Sequence, residues 1–276
     1  MNPYTLPDHE LERLLGEDVP AGDATTFALD IGQRPGRIVF RARHTMTVCG
    51  SEEALRLGEL RGLSRIGELT ASGTALQPGE TILSLAGEAA ALHAVWKTAQ
   101  TLMEYLSGIA SATADIVAAA RSGHSDCAVV CTRKNFPGTK AATVKAVLAG
   151  GASPHRLSLS ETLLVFAEHR AFLDESPATT LARLRRRWPE RSIVVEVADE
   201  NEALAWAGAD ILQLEKWPVD AVADLHARLP ETRLAAAGGV NAGNAAAYAR
   251  AGAAILVTSA PYFAGPRDVA VSISAD

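Results

Sequence analysis

The pattern of apolar and polar positions changes rhythm near the middle of the chain. Before about residue 105 it is mixed. "HELERLLGEDV" repeats its apolar residues at helical spacing, and "GRIVFRARHTMTVCG" alternates apolar and polar residues as strands do. "SEEALRLGELRGL" returns to helical spacing behind a serine placed to cap it. "ASGTALQPGETILSLA" predicts a hairpin about Pro78-Gly79, and a long helix is expected from about Ala89 through Ala120, broken or bent near Ser107-Gly108.

From Asp126 onward short apolar runs alternate with helical patterns. "CAVVCT" precedes "KAATVKAVLAG", "SIVVEVA" precedes "NEALAWAG", and "ADILQLE" precedes "VDAVADLHARL". "TRLAAAGG" precedes "AGNAAAYARAG", and "AAILVTS" closes the series. Such alternation predicts a parallel sheet covered on both faces. Units recurring roughly twenty to thirty residues apart favour a (β/α) barrel over an open sheet. With further strands expected between His155 and Leu173, the count fits an incomplete or seven-stranded barrel.

Charge adds a local feature to this picture. The chain has 276 residues and a net charge of −6, which argues against nucleic acid or an anionic membrane as partner. Yet Cys127–Ser160 holds Arg133, Lys134, Lys140, Lys145 and Arg156, with His155 beside them, and no carboxylate. A cationic run without counter-charges inside an acidic protein points to a small anionic ligand. Lys145 reads as a solvated lysine on a helix face, Lys140 partly so, and Arg133 does not. The cluster "ARLRRRWPERS" reads as the solvated end of a helix stopped by Pro189. Cys49, Cys127 and Cys131 lack C-x-x-C spacing, so buried reduced thiols are expected rather than a disulfide or zinc site. The N-terminus carries acids where a secretion signal needs bases, and no apolar stretch is long enough to span a membrane, so a cytoplasmic protein is expected.

A barrel places its chemistry at the C-terminal ends of its strands. Thr132, Arg133 and Lys134 fall at one such end, Glu196 near another, and Glu215 with Lys216 at a third. Gly238-Gly239 and Thr258-Ser259-Ala260 fall at two more, and glycine turns before a helix suit a phosphate. Glu196 and Glu215 could hold Mg²⁺, usually through water, or pair with the basic rim residues. Arg133, Lys134, Lys140 and Arg156 suit carboxylates and phosphates, and His155 suits proton transfer or hydrogen bonding near neutrality.

Several stretches together resemble the quinolinate phosphoribosyltransferase family. They are "TRKNFPGTK", "KAVLAGGASPHRLSLSETLLVFAEH", "VEVADENEAL", "ILQLEKW", "AAAGGVNAGNAAAYARAGA" and "LVTSAP", with "EDVPAGDATT" and "LSGIASATADIV" upstream. The style of "WKTAQTLMEYLSGIA" and "TRKNFPGTK" is that of its molybdenum-transport-associated ModD branch. The resemblance implies an α/β protein of two domains: an N-terminal α/β sandwich over residues 1–105 and a C-terminal open, seven-stranded, incomplete TIM-like barrel over 106–262. The tail 263–276 would pack back on the first domain. It also implies a homodimer or higher homo-oligomer with shared active sites. The implied reaction joins quinolinate to phosphoribosyl pyrophosphate with Mg²⁺, releasing pyrophosphate and CO₂.

By that resemblance Arg133, His155 and Arg156 would bind the acceptor's carboxylates, with Lys134 beside them. Glu196 and Glu215 would face ribose and metal, and Gly238, Gly239, Ser259 and Ala260 would hold the 5′-phosphate. The chain departs from the family pattern in four places. Trp96-Lys97 replaces Glu-Arg, so that Lys97 stands for the arginine that would reach a neighbour's acceptor site, Phe166 replaces a site lysine, Glu215-Lys216 replaces Asp-Asn, and Ala237 replaces a serine. Phosphoribosyl-binding features are kept and acceptor-binding features altered. Three readings stay open: transfer to quinolinate, transfer to another heterocyclic acceptor linked to molybdenum use, and a non-catalytic anion-binding barrel.

Overall fold

The computed structural model describes residues 5–276. Residues 1–4, where the expected first domain and the acidic N-terminus begin, lie outside the described residues. The chain forms two compact units. One comprises residues up to Ala114 together with 136–151 and 261–276, and the other comprises 115–135 and 152–260.

In the first unit, helices α1 (Asp8–Asp18), α2 (Ala24–Ala28) and α3 (Ser51–Glu59) accompany strands β1 (Pro35–Ala42), β2 (Met46–Thr47), β3 (Ser64–Arg65), β4 (Ala75–Leu76) and β5 (Thr81–Glu88). The chain's last strand, β13 (Val269–Ala275), joins them in a four-stranded sheet of order β13-β1-β5-β3. Alternation along β1 buries Ile38, Phe40 and Ala42. They share a core with Leu11 and Leu15 of α1, Leu57 of α3 and Leu83 and Leu85 of β5. Leu92, Val95 and Met103, from the first part of α4 (Ala89–Gly123), complete it.

Three local expectations are corrected here. The segment about Pro78-Gly79 is no hairpin, because β4 pairs with β2 while β5 pairs with β1 and β3. Helix α3 is capped by Gly50 at φ 92°, and Ser51 is its first residue. Helix α4 runs unbroken through Ser107-Gly108. Gly108 serves close packing, since a Cβ there would lie 2.4 Å from the Gly265 carbonyl oxygen.

Helix α5 (Lys140–Ala149) follows β6 (Ala128–Cys131) in sequence but packs in the first unit. Ala142 packs on that unit's core and Lys145 ties the helix to α3, so the reading of Lys145 as a solvated lysine is wrong. Its side chain is 1% exposed, and its ammonium donates to Glu52 Oε2 at 2.9 Å and to Glu53 Oε2. Glu53 is itself fully buried and also accepts the Leu6 N–H.

The second unit is built on seven parallel strands. After β6 come β7 (Ser153–Pro154), β8 (Leu163–Val165), β9 (Ile193–Val197), β10 (Ile211–Glu215), β11 (Arg233–Ala237) and β12 (Ala253–Thr258). Their order is β7-β6-β12-β11-β10-β9-β8, so β7 and β8 are the unpaired edges of an open barrel. The expected seven-stranded α/β barrel is thus observed. Helices α6 (Ala167–Arg170), α7 (Pro177–Arg187), α8 (Glu200–Ala205), α9 (Val219–Arg228) and α10 (Ala245–Arg250) connect the strands. Ser176 caps α7 ahead of Pro177, and Asp199 caps α8 by accepting the Glu202 N–H. Ala235, Ala237, Ile255 and Val257 form an apolar cluster inside the sheet.

All three cysteines are buried and free. Burial pushes the Cys49 and Cys131 thiols up to about 12 and Cys127 to about 11, which leaves them inert at neutral pH. Among the described residues no helix is long and apolar enough to cross a membrane.

Candidate active site

The C-terminal ends of the barrel strands enclose a cavity of about 900 Å³. Its wall holds Thr132, Arg133, Lys134, His155, Arg156, Phe166, Glu196, Glu215, Lys216, Gly238, Gly239, Ser259 and Ala260. Thirteen candidate residues from seven strand ends therefore meet in one place. Lys97 and Lys140 do not line it and belong to the other unit. Lys97 donates to Gln100 Oε1 at 3.1 Å, lies 4.7 Å from the centroid of the Trp96 ring, and lines a cavity of about 480 Å³. Lys140 is the exposed first residue of α5.

One side of the cavity is cationic. The Thr132 N–H donates to the Thr258 carbonyl at 2.9 Å and the His155 N–H to the Cys131 carbonyl at 2.8 Å, which sets both chains at the rim beside β12 and β6. Among the described residues none of Arg133, Lys134 and Arg156 forms an ion pair. Burial and then Arg133 lower the Arg156 pKa, and burial and then Arg156 lower that of His155. Both shifts mark positive charge crowded without a partner. Glu161, the first carboxylate after the cationic run, accepts the Leu157 N–H instead.

The ends of β9 and β10 bring carboxylates to the same cavity. Glu196 and Gln213 face one another across adjacent strands, and Gln213 Nε2 donates to Glu196 Oε2 at 2.8 Å. Burial raises the Glu196 pKa, the Gln213 bond opposes that rise, and Glu215 and then Glu168 add to it. Glu196 and Glu215 are the carboxylates that would face a cation here, and among the described residues no group of three or more His, Cys, Asp or Glu side chains forms a metal site. Hard oxygen donors of this kind suit Mg²⁺, which keeps waters and leans on substrate phosphates.

The turn after β10 is strained. Lys216 takes a positive φ of 60°, in the left-handed region that non-glycine residues rarely occupy. Its N–H donates to the Ala237 carbonyl at 2.7 Å. The next residue, Trp217, donates from Nε1 to the Val197 carbonyl at 3.2 Å and accepts from the Tyr248 hydroxyl at 2.9 Å. These bonds hold the strain in place, as surroundings do at sites where geometry serves function. Gly238 is required beside it, because a Cβ would lie 2.5 Å from Lys216 Cγ and 2.7 Å from Glu215 Oε1. Past Gly239 the side chains of Asn241 and Asn244 both donate to the Gly239 carbonyl at 3.0 Å, shaping the turn. Thr258 Oγ1 donates to the Val240 carbonyl at 2.7 Å and accepts the Ala260 N–H at 3.0 Å, which joins the two glycine- and serine-bearing ends.

Phe166 closes the wall beside β8. The Arg156 guanidinium lies 5.9 Å from its ring centroid, and His169 stacks on it at 5.8 Å. The His169 Nδ1 accepts the Phe166 N–H at 3.0 Å, which fixes the ring at the start of α6. Four lining residues carried no signal in the sequence: Leu164, Glu168, Gln213 and Val257. Gln213 was detectable in principle, as a polar residue at an inward position of an otherwise apolar strand.

Comparison with known proteins agrees with this geometry. Residues 23–107 match the quinolinate phosphoribosyl transferase N-terminal domain, and residues 109–272 match its C-terminal domain. The chain is 49% identical to the ModD protein of Rhodobacter capsulatus, over 90% of this chain and 98% of that one. It is 30% identical to the carboxylating nicotinate-nucleotide pyrophosphorylase of Mycobacterium leprae, over 88% of this chain and 84% of that one. The crystal structure of NadC from Streptococcus pyogenes superposes with a TM-score of 0.90 at 22% identity, covering 98% of this chain and 96% of that one, which speaks for the fold. With both family domains matched in order across the cavity-bearing barrel and the sheet domain before it, the chain belongs to the quinolinate phosphoribosyltransferase family.

Proposed function

We propose that this protein transfers a phosphoribosyl group from phosphoribosyl pyrophosphate to the ring nitrogen of a heterocyclic carboxylic acid, with Mg²⁺ and release of pyrophosphate. The observation that carries the reading is one cavity that gathers cations forming no ion pair among the described residues, from the ends of β6 and β7, with the carboxylates Glu196 and Glu215 from the ends of β9 and β10. Arg133, Arg156 and Lys134 suit the acceptor carboxylate, and arginine offers it a two-point hydrogen bond. His155, whose pKa is lowered by burial and then by Arg156, would be a hydrogen-bonding partner for the same group. Glycine at 238 and 239, with Ser259, suits the 5′-phosphate.

Transfer breaks the C1′–O bond, and the electron pair leaves on pyrophosphate. The acceptor nitrogen's lone pair forms the new N–C1′ bond. With quinolinate, loss of CO₂ leaves a pair on the ring carbon that takes up a proton. In this reading Glu196 and Glu215 would face the positive charge that develops on the ribosyl centre, and a preorganised anion there lowers the barrier. They are also the residues that would hold Mg²⁺, whose chemistry when bound is to neutralise the leaving pyrophosphate.

Phe166 supports a second reading, transfer to an acceptor other than quinolinate. A ring under the Arg156 guanidinium offers stacking where the family pattern has a second cation for a dicarboxylate. The test is pyrophosphate release from phosphoribosyl pyrophosphate and Mg²⁺ with quinolinate, products identified by mass. Nicotinate mononucleotide above the uncatalysed rate establishes the first reading. Binding of the sugar donor without that product moves the acceptor to the second. No donor binding by calorimetry overturns both.

A further inference from the structure

Gln213 is 4% exposed, lines the cavity and lies level with Ala235 on the neighbouring strand β11. Its amide is half used. Nε2 donates to Glu196, while Oε1 is buried with no hydrogen-bond partner among the described residues. Buried side-chain acceptors are normally satisfied, and an orphan at a cavity wall calls for a cause. Stability is no cause, since an apolar residue of similar size would avoid the loss that an unmade hydrogen bond brings. Its partner Glu196 and the next inward residue of β10, Glu215, line the same cavity, so the amide lies within the polar part of the wall.

We propose that Gln213 is a specificity-determining residue whose Oε1 accepts a hydrogen bond from an O–H or N–H group of a bound substrate. Anchoring of Nε2 by Glu196 fixes which end of the amide is left free, so what this side chain has to offer is an acceptor and not a donor. A substrate with a donor at that point is favoured, and one presenting a lone pair there is repelled. Two sources supply the chemistry: a ribose hydroxyl of the sugar donor, or an N–H or amino group on the heterocycle. The inference rests on the phosphoribosyl-transfer reading.

The experiment is a substrate-by-variant cycle read by calorimetry with Mg²⁺. Phosphoribosyl pyrophosphate and its analogues lacking the 2- or 3-hydroxyl are titrated into the wild-type protein and Gln213→Met. A second arm repeats this with nicotinate and 6-aminonicotinate in the presence of the sugar donor. Wild type should discriminate within one arm by about ten-fold or more, and Gln213→Met should lose that discrimination. Loss in the sugar arm assigns a hydroxyl, and loss in the heterocycle arm assigns an N–H. Unchanged discrimination in both arms overturns the proposal and leaves Gln213 as a support for Glu196, because a purely structural role weakens all ligands alike. Failure of the wild type to bind the sugar donor overturns the phosphoribosyl-transfer reading, and this proposal with it. If Gln213→Met does not fold, the side-chain amide resonances of Gln213 in ¹⁵N-labelled wild type replace it. They should move with the full ligand and stay in place with the analogue lacking the donor.

Discussion

Lys145 and Arg156 come from the same carboxylate-free run of sequence, yet the fold gives them opposite electrical surroundings. In the first unit Lys145 is buried against Glu52 and Glu53, and Ser72 donates to Glu52 from its backbone N–H at 2.9 Å. Burial works to lower the Lys145 pKa, and the two carboxylates outweigh it, so the ammonium stays charged. In the barrel Arg156 meets Arg133, His155 and the Phe166 ring, and among the described residues it forms no ion pair. A charge whose partners are built in serves the fold. One left unpaired at a cavity wall awaits a partner from solution.

The largest test of that contrast is Lys145→Met. It leaves Glu53 buried without its counter-ion, so the unfolding midpoint in denaturant should fall by the equivalent of about 3–5 kcal/mol. The pH dependence should change with it. Burial acts to raise the Glu52 pKa, but hydrogen bonds from Ser72 and Lys145 win and hold it at about 2 against an ordinary 4.5. A carboxyl depressed on folding stabilises fully above about pH 5, and that contribution drains away as pH falls towards 2. Thermal melts across this window should show a steep loss for the wild type and a shallower one for the variant. Equal slopes would mean that Lys145 does not set the Glu52 carboxylate.

Arg133→Ala should do the reverse. With no ion pair to break, stability should stay within about 0.5 kcal/mol of wild type. Ligand affinity should drop by about 1.5–3 kcal/mol, the worth of a hydrogen bond to a charged group, as read by calorimetry with an acceptor acid and the sugar donor. Loss of folding would show Arg133 to be structural and remove it from the site.

Phe166→Lys restores a cation where the family pattern has one. Quinolinate turnover should rise by about ten-fold, or roughly 1.4 kcal/mol, with Lys97→Arg added as the second departure. No gain with either change would separate acceptor choice from these positions.

The smallest expected effect is at the strained turn. Lys216→Gly relieves the positive φ, which should stabilise the protein by about 1 kcal/mol while weakening substrate binding. Stabilisation without a binding loss would make Lys216 a bystander of the turn.

Much of this was legible in the chain. Short apolar runs at regular spacing specified the parallel strands, because strand character depends on neighbours two residues apart. The glycine pair after β11 and the charged residues at the ends of β6, β9 and β10 marked the rim for the same local reason. What the sequence could not contain is partnership across distance. Lys145 finds its carboxylates 92 and 93 residues away, so a lysine on a helix read as solvated when it is buried. Gly108 looked like a break in α4, and only the backbone of Gly265 explains why the helix continues with a glycine there. Gln213 gave no motif, because an orphaned acceptor is defined by what fails to meet it in space. Periodicity determined which elements form. Tertiary packing alone decided which charges and polar groups are satisfied within the protein and which are left facing the cavity, since desolvation and Coulomb energy depend on distance in space and not along the chain.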